Sequence, residues 1–376
     1  MKKELELYIH IPFCIQKCKY CDFLSAPCSE ELRGSYVESL CKKIRDYREL
    51  AEAYHVVSIF LGGGTPSVLE GVQTKEIFAA IYDTFQVDAD AEITTELNPG
   101  TVTEEKLKVY KEIGINRLSI GLQSVNDQEL CMLGRIHTYE EFKATYELAR
   151  KTGFDNINID LISAIPGQTV ESWAETLETV AKLNPEHISA YSLIIEEGTP
   201  FFEMYGEDRE GLPDEDDERQ MYQDTQTILE KYGYFRYEIS NYAKKGFECQ
   251  HNLGYWSRRE YLGIGLGAAS LLNNERWTEN AELKEYLTNK ENQKENLEIL
   301  DGTAQMEEFM FLGLRKMKGV SKEAFMFSFG QKIEEVYGEV LEKMLGDGLL
   351  ELDGDYIRLT EKGIDVSNYV MSEFIQ

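Results

Sequence analysis

Short apolar runs alternate with helix-spaced segments from Leu5 to Ile195. Runs rich in branched and aromatic residues fall at Leu5–Ile11, Val56–Leu61, Glu92–Leu97, Arg117–Leu122, Asn156–Ile162 and His187–Leu193. Helical patterns separate them at Glu30–Glu52, Thr74–Thr84, Thr103–Ile113, Tyr139–Thr152 and Val170–Lys182. Parallel strands need long crossovers, so six such repeats predict a parallel sheet with helices outside. A doubly wound sheet and a barrel both satisfy this pattern. Polar residues recur where successive strands end: Cys14, the loop Gly62–Pro66, Glu96, Gln123, Asp160 and Tyr191. A barrel gathers such ends around one mouth, whereas an open sheet spreads them along an edge. The expected fold class is α/β, a partial, six-unit β/α barrel of the TIM type.

The second half reads differently. Residues 196–211 are expected to be loop, 213–232 an acidic stretch running into a helix, and 236–300 irregular, with the glycine-rich run Leu262-Gly-Ile-Gly-Leu-Gly267. After Asp301 comes a helical unit, and Leu349–Leu352 with Tyr356–Leu359 around Asp353-Gly354-Asp355 predicts a hairpin. The expected domains are a barrel over 1–200, an extension over 201–300 and a C-terminal α+β, winged-helix-like module over 301–376.

Charge and cysteine usage narrow the partners. The chain carries 68 acidic and 39 basic residues, a net charge of −29. Nucleic acid is a poor fit, since binding it requires lysine and arginine to neutralise phosphates. No apolar run approaches the roughly 18 residues of a membrane span, and the N-terminus has no apolar leader, so a cytoplasmic location is expected. Three of the seven cysteines lie together as Cys14, Cys18 and Cys21, in C-x3-C-x2-C spacing. Three thiolates can hold a 4Fe-4S cluster with one iron left open for a small molecule. A zinc site completed from elsewhere is the alternative, although structural zinc usually takes paired C-x2-C knuckles.

The triplet after a first strand, with Tyr20 before the last cysteine, resembles the radical S-adenosylmethionine (SAM) superfamily. In that family the open iron holds SAM, and reductive cleavage gives a 5′-deoxyadenosyl radical. Gly62-Gly63-Gly64-Thr65-Pro66 after the second strand resembles the family's glycine motif. The resemblance is closest to oxygen-independent coproporphyrinogen III oxidase and its relatives, carried by Tyr8–Cys14, Thr95-Glu-Leu-Asn-Pro99, Asn116–Ser124, Asn158-Ile-Asp-Leu161 and Ile165-Pro-Gly-Gln-Thr169. It implies that Cys14, Cys18 and Cys21 hold the cluster. It implies that Tyr8, Tyr20, Gly63, Gly64, Thr65, Glu96, Gln123, Arg135 and Asp160 contact SAM, with Arg135 suited to clamp a carboxylate. No chemistry is expected of His10.

Two departures argue against the oxidase reaction itself. Phe23 stands where the oxidase has a further cysteine, and seven residues precede Tyr8, where the oxidase has a long extension. Tyr237–Ala243 and His251-Asn-Leu-Gly-Tyr-Trp256 instead resemble the heme-chaperone branch of the family. That resemblance implies heme as cargo, a heme-accepting protein and an electron donor as partners, and His251 as the heme ligand, flanked by Tyr255 and Trp256. A lone histidine is otherwise most simply read as packing. The remaining alternatives are oxidative decarboxylation of coproporphyrinogen III to protoporphyrinogen IX, and a radical reaction on another substrate.

Overall fold

All six expected strands form: β1 (Lys3–Ile11), β2 (Tyr54–Gly63), β3 (Val87–Leu97), β4 (Arg117–Gln123), β5 (Ile157–Ser163) and β6 (His187–Ser192). They pair in parallel and in chain order. The computed structural model describes residues 2–206, 210–288 and 294–375. Helices cross from strand to strand, and side-chain caps start them: Ser29, Thr103, Thr138 and Thr169 each accept a backbone N–H of the first turn.

The pleat gives the strands two unlike faces. Leu5, Leu7, Ile9 and Ile11 of β1, Ile59 and Leu61 of β2, Leu118, Ile120 and Leu122 of β4, and Ile157, Ile159 and Leu161 of β5 are buried in one large apolar core. The intervening residues are polar: Glu6, Tyr8 and His10, then Glu92, Thr94 and Glu96, then Arg117, Ser119 and Gln123, then Asn158 and Asp160. A register shift at Val57 sets the face of β2, turning Ser58, Phe60 and Gly62 to the polar side.

Residues 236–300 correct the sequence expectation. They are not irregular: β7 (Phe235–Glu238), β8 (Asn241–Ala243), β9 (Tyr261–Ile264), β10 (Ala269–Leu272), β11 (Glu275–Thr278) and β12 (Glu295–Ile299) extend the sheet at both edges. Strand β9 pairs parallel to β1, and β8 pairs antiparallel to β6. The order among the described residues is β12-β11-β10-β9-β1-β2-β3-β4-β5-β6-β8-β7. These strands are only three to five residues long, so no alternation shows. The β10–β11 turn rests on Asn273 and Asn274, both at positive φ, as a two-residue hairpin requires. The expected loop 196–211 contains a short helix, Pro200–Tyr205, while 207–209 and 289–293 lie outside the described residues. The long helix expected at Glu30–Glu52 breaks at Tyr47.

A second core, including Met310, Phe325, Tyr337, Leu341 and Phe374, packs around β13 (Val320–Ser321), β14 (Leu350–Asp353) and β15 (Tyr356–Leu359). The hairpin β14–β15 forms in the expected place. Buried Glu308 ties this module to the sheet, accepting from Arg258 Nε at 2.7 Å and Arg276 Nη2 at 2.5 Å.

Candidate functional site

The cysteine loop leaves the end of β1 and returns on itself, with Cys14 N–H donating to Ala26 O (3.2 Å) and Ala26 N–H to Pro12 O (3.0 Å). Its middle is pinned from both sides: Lys19 N–H donates to Leu133 O, and Phe201 N–H donates to Lys19 O, both at 3.0 Å. Cys14, Cys18 and Cys21 are all partly exposed and unpaired. Among the described residues, no three cysteine, histidine or acidic side chains converge tightly enough to hold one metal ion. Zinc would need such convergence, with sulfurs at about 2.3 Å. A cubane offers its irons at separate corners and does not.

A chain of hydrogen bonds runs from one cysteine to another. Thr65 Oγ1 donates to Cys14 Sγ (3.4 Å), and Asn98 Nδ2 donates to Thr65 Oγ1 (2.7 Å). Arg135 Nη2 donates to Asn98 Oδ1 (2.6 Å) and Gly121 O (2.8 Å), while its Nη1 donates to Cys18 Sγ (3.5 Å). The structure thus commits Arg135 to a sulfur and to Asn98 rather than leaving its fork free for a carboxylate. A fixed guanidinium suits an anionic, thiolate-bound centre. Asn98 closes this chain, although only the motif around it drew attention in the sequence.

The glycine loop is built by close approach. Gly64 N–H donates to Ile11 O (2.8 Å) and Thr65 N–H to Phe13 O (2.7 Å). A Cβ on Gly64 would lie 2.7 Å from Phe13 O, and one on Gly63, at φ +110°, would lie 2.5 Å from the His10 ring. His10 has a role that the sequence reading missed. Its Nε2 donates to Leu24 O (2.9 Å), which leaves Nδ1 to accept the Tyr8 hydroxyl (2.9 Å). It therefore ties Tyr8 to the far arm of the cysteine loop, and burial lowers its pKa, keeping the ring neutral.

Glu96 Oε2 accepts Gly63 N–H at 3.1 Å. Burial, then the nearby Asp160, pushes its carboxyl up to about 8. Asp160 accepts from Ser119 Oγ (2.9 Å) and Asn158 Nδ2 (2.8 Å), and burial raises its pKa too. Gln123 sits at φ +71°, and its buried Oε1 has no partner; Arg135 Nε is likewise unpartnered. Tyr20 packs against Leu133, Ile162, Ile165 and Phe201. The mouth thus holds an acid favouring a cationic neighbour and an orphaned acceptor. Both fit a ligand bearing an ammonium and hydroxyl groups.

His251 lies below the mouth, level with the middle of β2 and β3. It belongs to a helix, Gln250–Trp256, seated under β2 and β3. Ser58 stands five residues before Gly63 on β2, which places the two roughly 17 Å apart along the strand. His251 is 1% exposed. Its Nδ1 is bonded to Ser58 Oγ (2.8 Å) and its Nε2 to the Tyr255 hydroxyl (3.0 Å). The ring stacks on Phe60 at 5.2 Å, and burial drives its pKa down to about 3. Glu92 caps the helix from β3, accepting Gln250 N–H and His251 N–H at 3.1 Å each. The helix forms a floor beneath the mouth. In this arrangement neither ring nitrogen is open to iron, and Trp256 lies against Arg315 rather than beside a porphyrin face.

Comparison with known proteins places this geometry. The radical SAM superfamily model matches residues 8–180, and the HemN C-terminal domain model matches 300–366. The heme chaperone HemW of Lactococcus lactis is 38% identical over 376 residues, covering 100% of this chain and 98% of that protein. The chain belongs to the HemW family. The HemW proteins of Bacillus subtilis and Escherichia coli are each 35% identical, covering 98% and 99% of this chain and 98% of each relative. The E. coli coproporphyrinogen III oxidase HemN, described as a radical SAM enzyme, superposes with a TM-score of 0.88 at 25% identity, over 100% of this chain and 91% of that one. The chain thus carries a radical SAM domain and a HemN-type C-terminal module, and the superfamily implies SAM and a 4Fe-4S cluster. Among the described residues, no helix is long and apolar enough to cross a membrane.

Proposed function

We propose that this chain binds heme and passes it to an acceptor protein, and that its mouth holds a SAM-binding 4Fe-4S cluster. The observation that carries the reading is similarity over nearly the whole chain to proteins named heme chaperone HemW. The rim of the mouth supports it. Ile15, Phe23, Leu24, Ile136, Ile194 and Phe202 are exposed around the cysteine loop. A flat apolar macrocycle is a natural cover for such a rim. Phe23, the position that separates the chain from the oxidase pattern, is itself 63% exposed.

In this reading Cys14, Cys18 and Cys21 hold three irons of the cluster. Glu96 and the Gly63–Gly64 backbone receive the SAM amino group. Asp160, Gln123, Tyr8 and Tyr20 line the remainder, while Thr65 and Arg135 brace the sulfurs. When bound, the cluster supplies a redox-active iron with one open position. A reductant protein and a heme acceptor are the implied partners.

The test is anaerobic reconstitution of the cluster, followed by heme titration and transfer to an apo-hemoprotein. A saturable Soret shift with transfer is expected. Absence of a Soret shift overturns the reading, as does conversion of coproporphyrinogen III to protoporphyrinogen IX in a parallel assay.

A further inference from the structure

The floor helix touches the strands that carry the SAM residues. Strand β3 presents Glu92 and Glu96 on one face, four residues apart. Glu92 caps the helix below, and Glu96 meets Gly63 above. Strand β2 repeats the arrangement. Ser58 holds His251 from below, Phe60 stacks on the His251 ring, and Gly62 begins the glycine loop. Phe60 joins the two levels. Its ring lies 6.4 Å from Tyr8, nearly parallel to it, and a Cβ on Gly62 would meet Phe60 Cε1 at 2.9 Å and Glu96 Oε2 at 3.0 Å. Phe60 is only half-buried.

We propose that His251 is a positioning residue for the SAM chamber and not a heme ligand. Its ring is the fixed surface on which Phe60 rests, and Phe60 in turn sets the wall shared by Tyr8, Gly62 and Glu96. Two hydroxyls lock the ring, from Ser58 and from Tyr255 one helical turn on. Tyr255 is held by Tyr261 edge to face at 4.7 Å. The close fit extends to Gly254, where any Cβ would fall 1.8 Å from Glu6 Oε1. This accounts for the histidine, the glycine and the tyrosine of His251-Asn-Leu-Gly-Tyr-Trp256 by packing alone. A histidine so enclosed reaches a porphyrin iron only if two hydrogen bonds and a ring stack break together.

The experiment compares His251→Ala, His251→Phe and Phe60→Leu with the parent, all reconstituted with the cluster. SAM affinity is read from the perturbation of the reduced cluster's EPR signal, and heme affinity from the Soret titration. His251→Ala should weaken SAM at least tenfold, with iron content and heme affinity retained. His251→Phe keeps a ring under Phe60 and should recover most of the SAM affinity, a rescue that an iron ligand does not allow. Phe60→Leu should reproduce the alanine phenotype and carries the test should His251→Ala fail to fold. Parental SAM affinity in Phe60→Leu overturns the proposal, as does loss of the heme Soret shift in a folded His251→Phe. A parent that binds no heme defeats the chaperone reading, while the SAM comparison still decides the role of His251.

Discussion

The two ends of the same polar sheet face are finished differently. At the floor, polar side chains bond one another across strands. His187 Nδ1 is bonded to Asn158 Oδ1 (2.6 Å) and its Nε2 to the Tyr237 hydroxyl (2.8 Å), and the Tyr237 hydroxyl also accepts Cys249 N–H (3.2 Å). At the mouth, side chains reach thiols and backbone instead: Thr65 and Arg135 donate to Cys14 and Cys18 Sγ, and Glu96 accepts Gly63 N–H. Unpartnered buried atoms occur at both ends, Gln123 Oε1 and Arg135 Nε above and Glu6 Oε2 and Arg117 Nε below, and the Glu96 and Glu6 carboxyls are each raised to about 8. The difference lies in what closes each end: a helix packs against the strands at the floor, whereas the mouth ends in the cysteine and glycine loops. Residue type alone does not separate the two ends, since each mixes acids, amides, histidine and tyrosine.

The sharpest break of this comparison is at the mouth. Cys18→Ser should abolish the iron–sulfur absorbance of the reconstituted protein while leaving thermal unfolding near the parent value, because the thiol is partly exposed and accepts only a long bond, at 3.5 Å, from Arg135. Retained cluster absorbance at parental iron content would show that the three-cysteine assignment is wrong.

Floor-side changes should do the opposite, costing stability and leaving the iron in place. Glu308→Ala removes the buried carboxylate that pairs Arg258 and Arg276, and breaking such a pair costs roughly 3–5 kcal/mol. Chemical denaturation should show that loss at unchanged iron content. Glu92→Ala removes the acceptor for two N–H groups of the floor helix. With about 1.5–3 kcal/mol for hydrogen bonds to a charged group, its effect should be the smaller of the two. If Glu92→Ala matched the parent in denaturant, the capping role assigned to it would fall.

The sequence made the mouth more legible than the floor, for a physical reason. Cys14, Cys18, Cys21 and Gly62–Gly64 are local patterns, and the strands they follow show an alternation long enough to read. Asn98, His10 and Phe60 gain their roles through Arg135, Leu24 and His251, contacts that no spacing displays. The surroundings of His251 were hidden because its segment lies in a region of three- to five-residue strands, where no pattern revealed that it sat under the sheet. The Val57 register shift was equally invisible, yet it turns Ser58 toward His251.

The smallest effect concerns protons at the mouth. The Glu96 carboxyl is raised to about 8 against 4.5 in an unfolded chain. The folded state therefore binds more protons between these values, and its stability falls as pH rises from about 4.5 through 8. Glu96→Gln removes this slope, so denaturation midpoints of parent and variant should converge at acid pH and separate in the variant's favour above pH 8. A bound cation reverses the balance, since it favours the carboxylate. SAM should then bind the parent about threefold more tightly at pH 8 than at pH 7, because the Glu96 proton must leave while the ligand's own α-amino group, near 7.7–8.0, still holds part of its charge. Binding should release that proton, visible as a buffer-dependent enthalpy in calorimetry. Glu96→Gln should lose both this rise and the proton release while keeping the cluster. A parent whose SAM affinity is flat from pH 7 to 8 would mean that Glu96 does not face the ammonium, and the mouth's orphaned groups would then need another ligand to answer them.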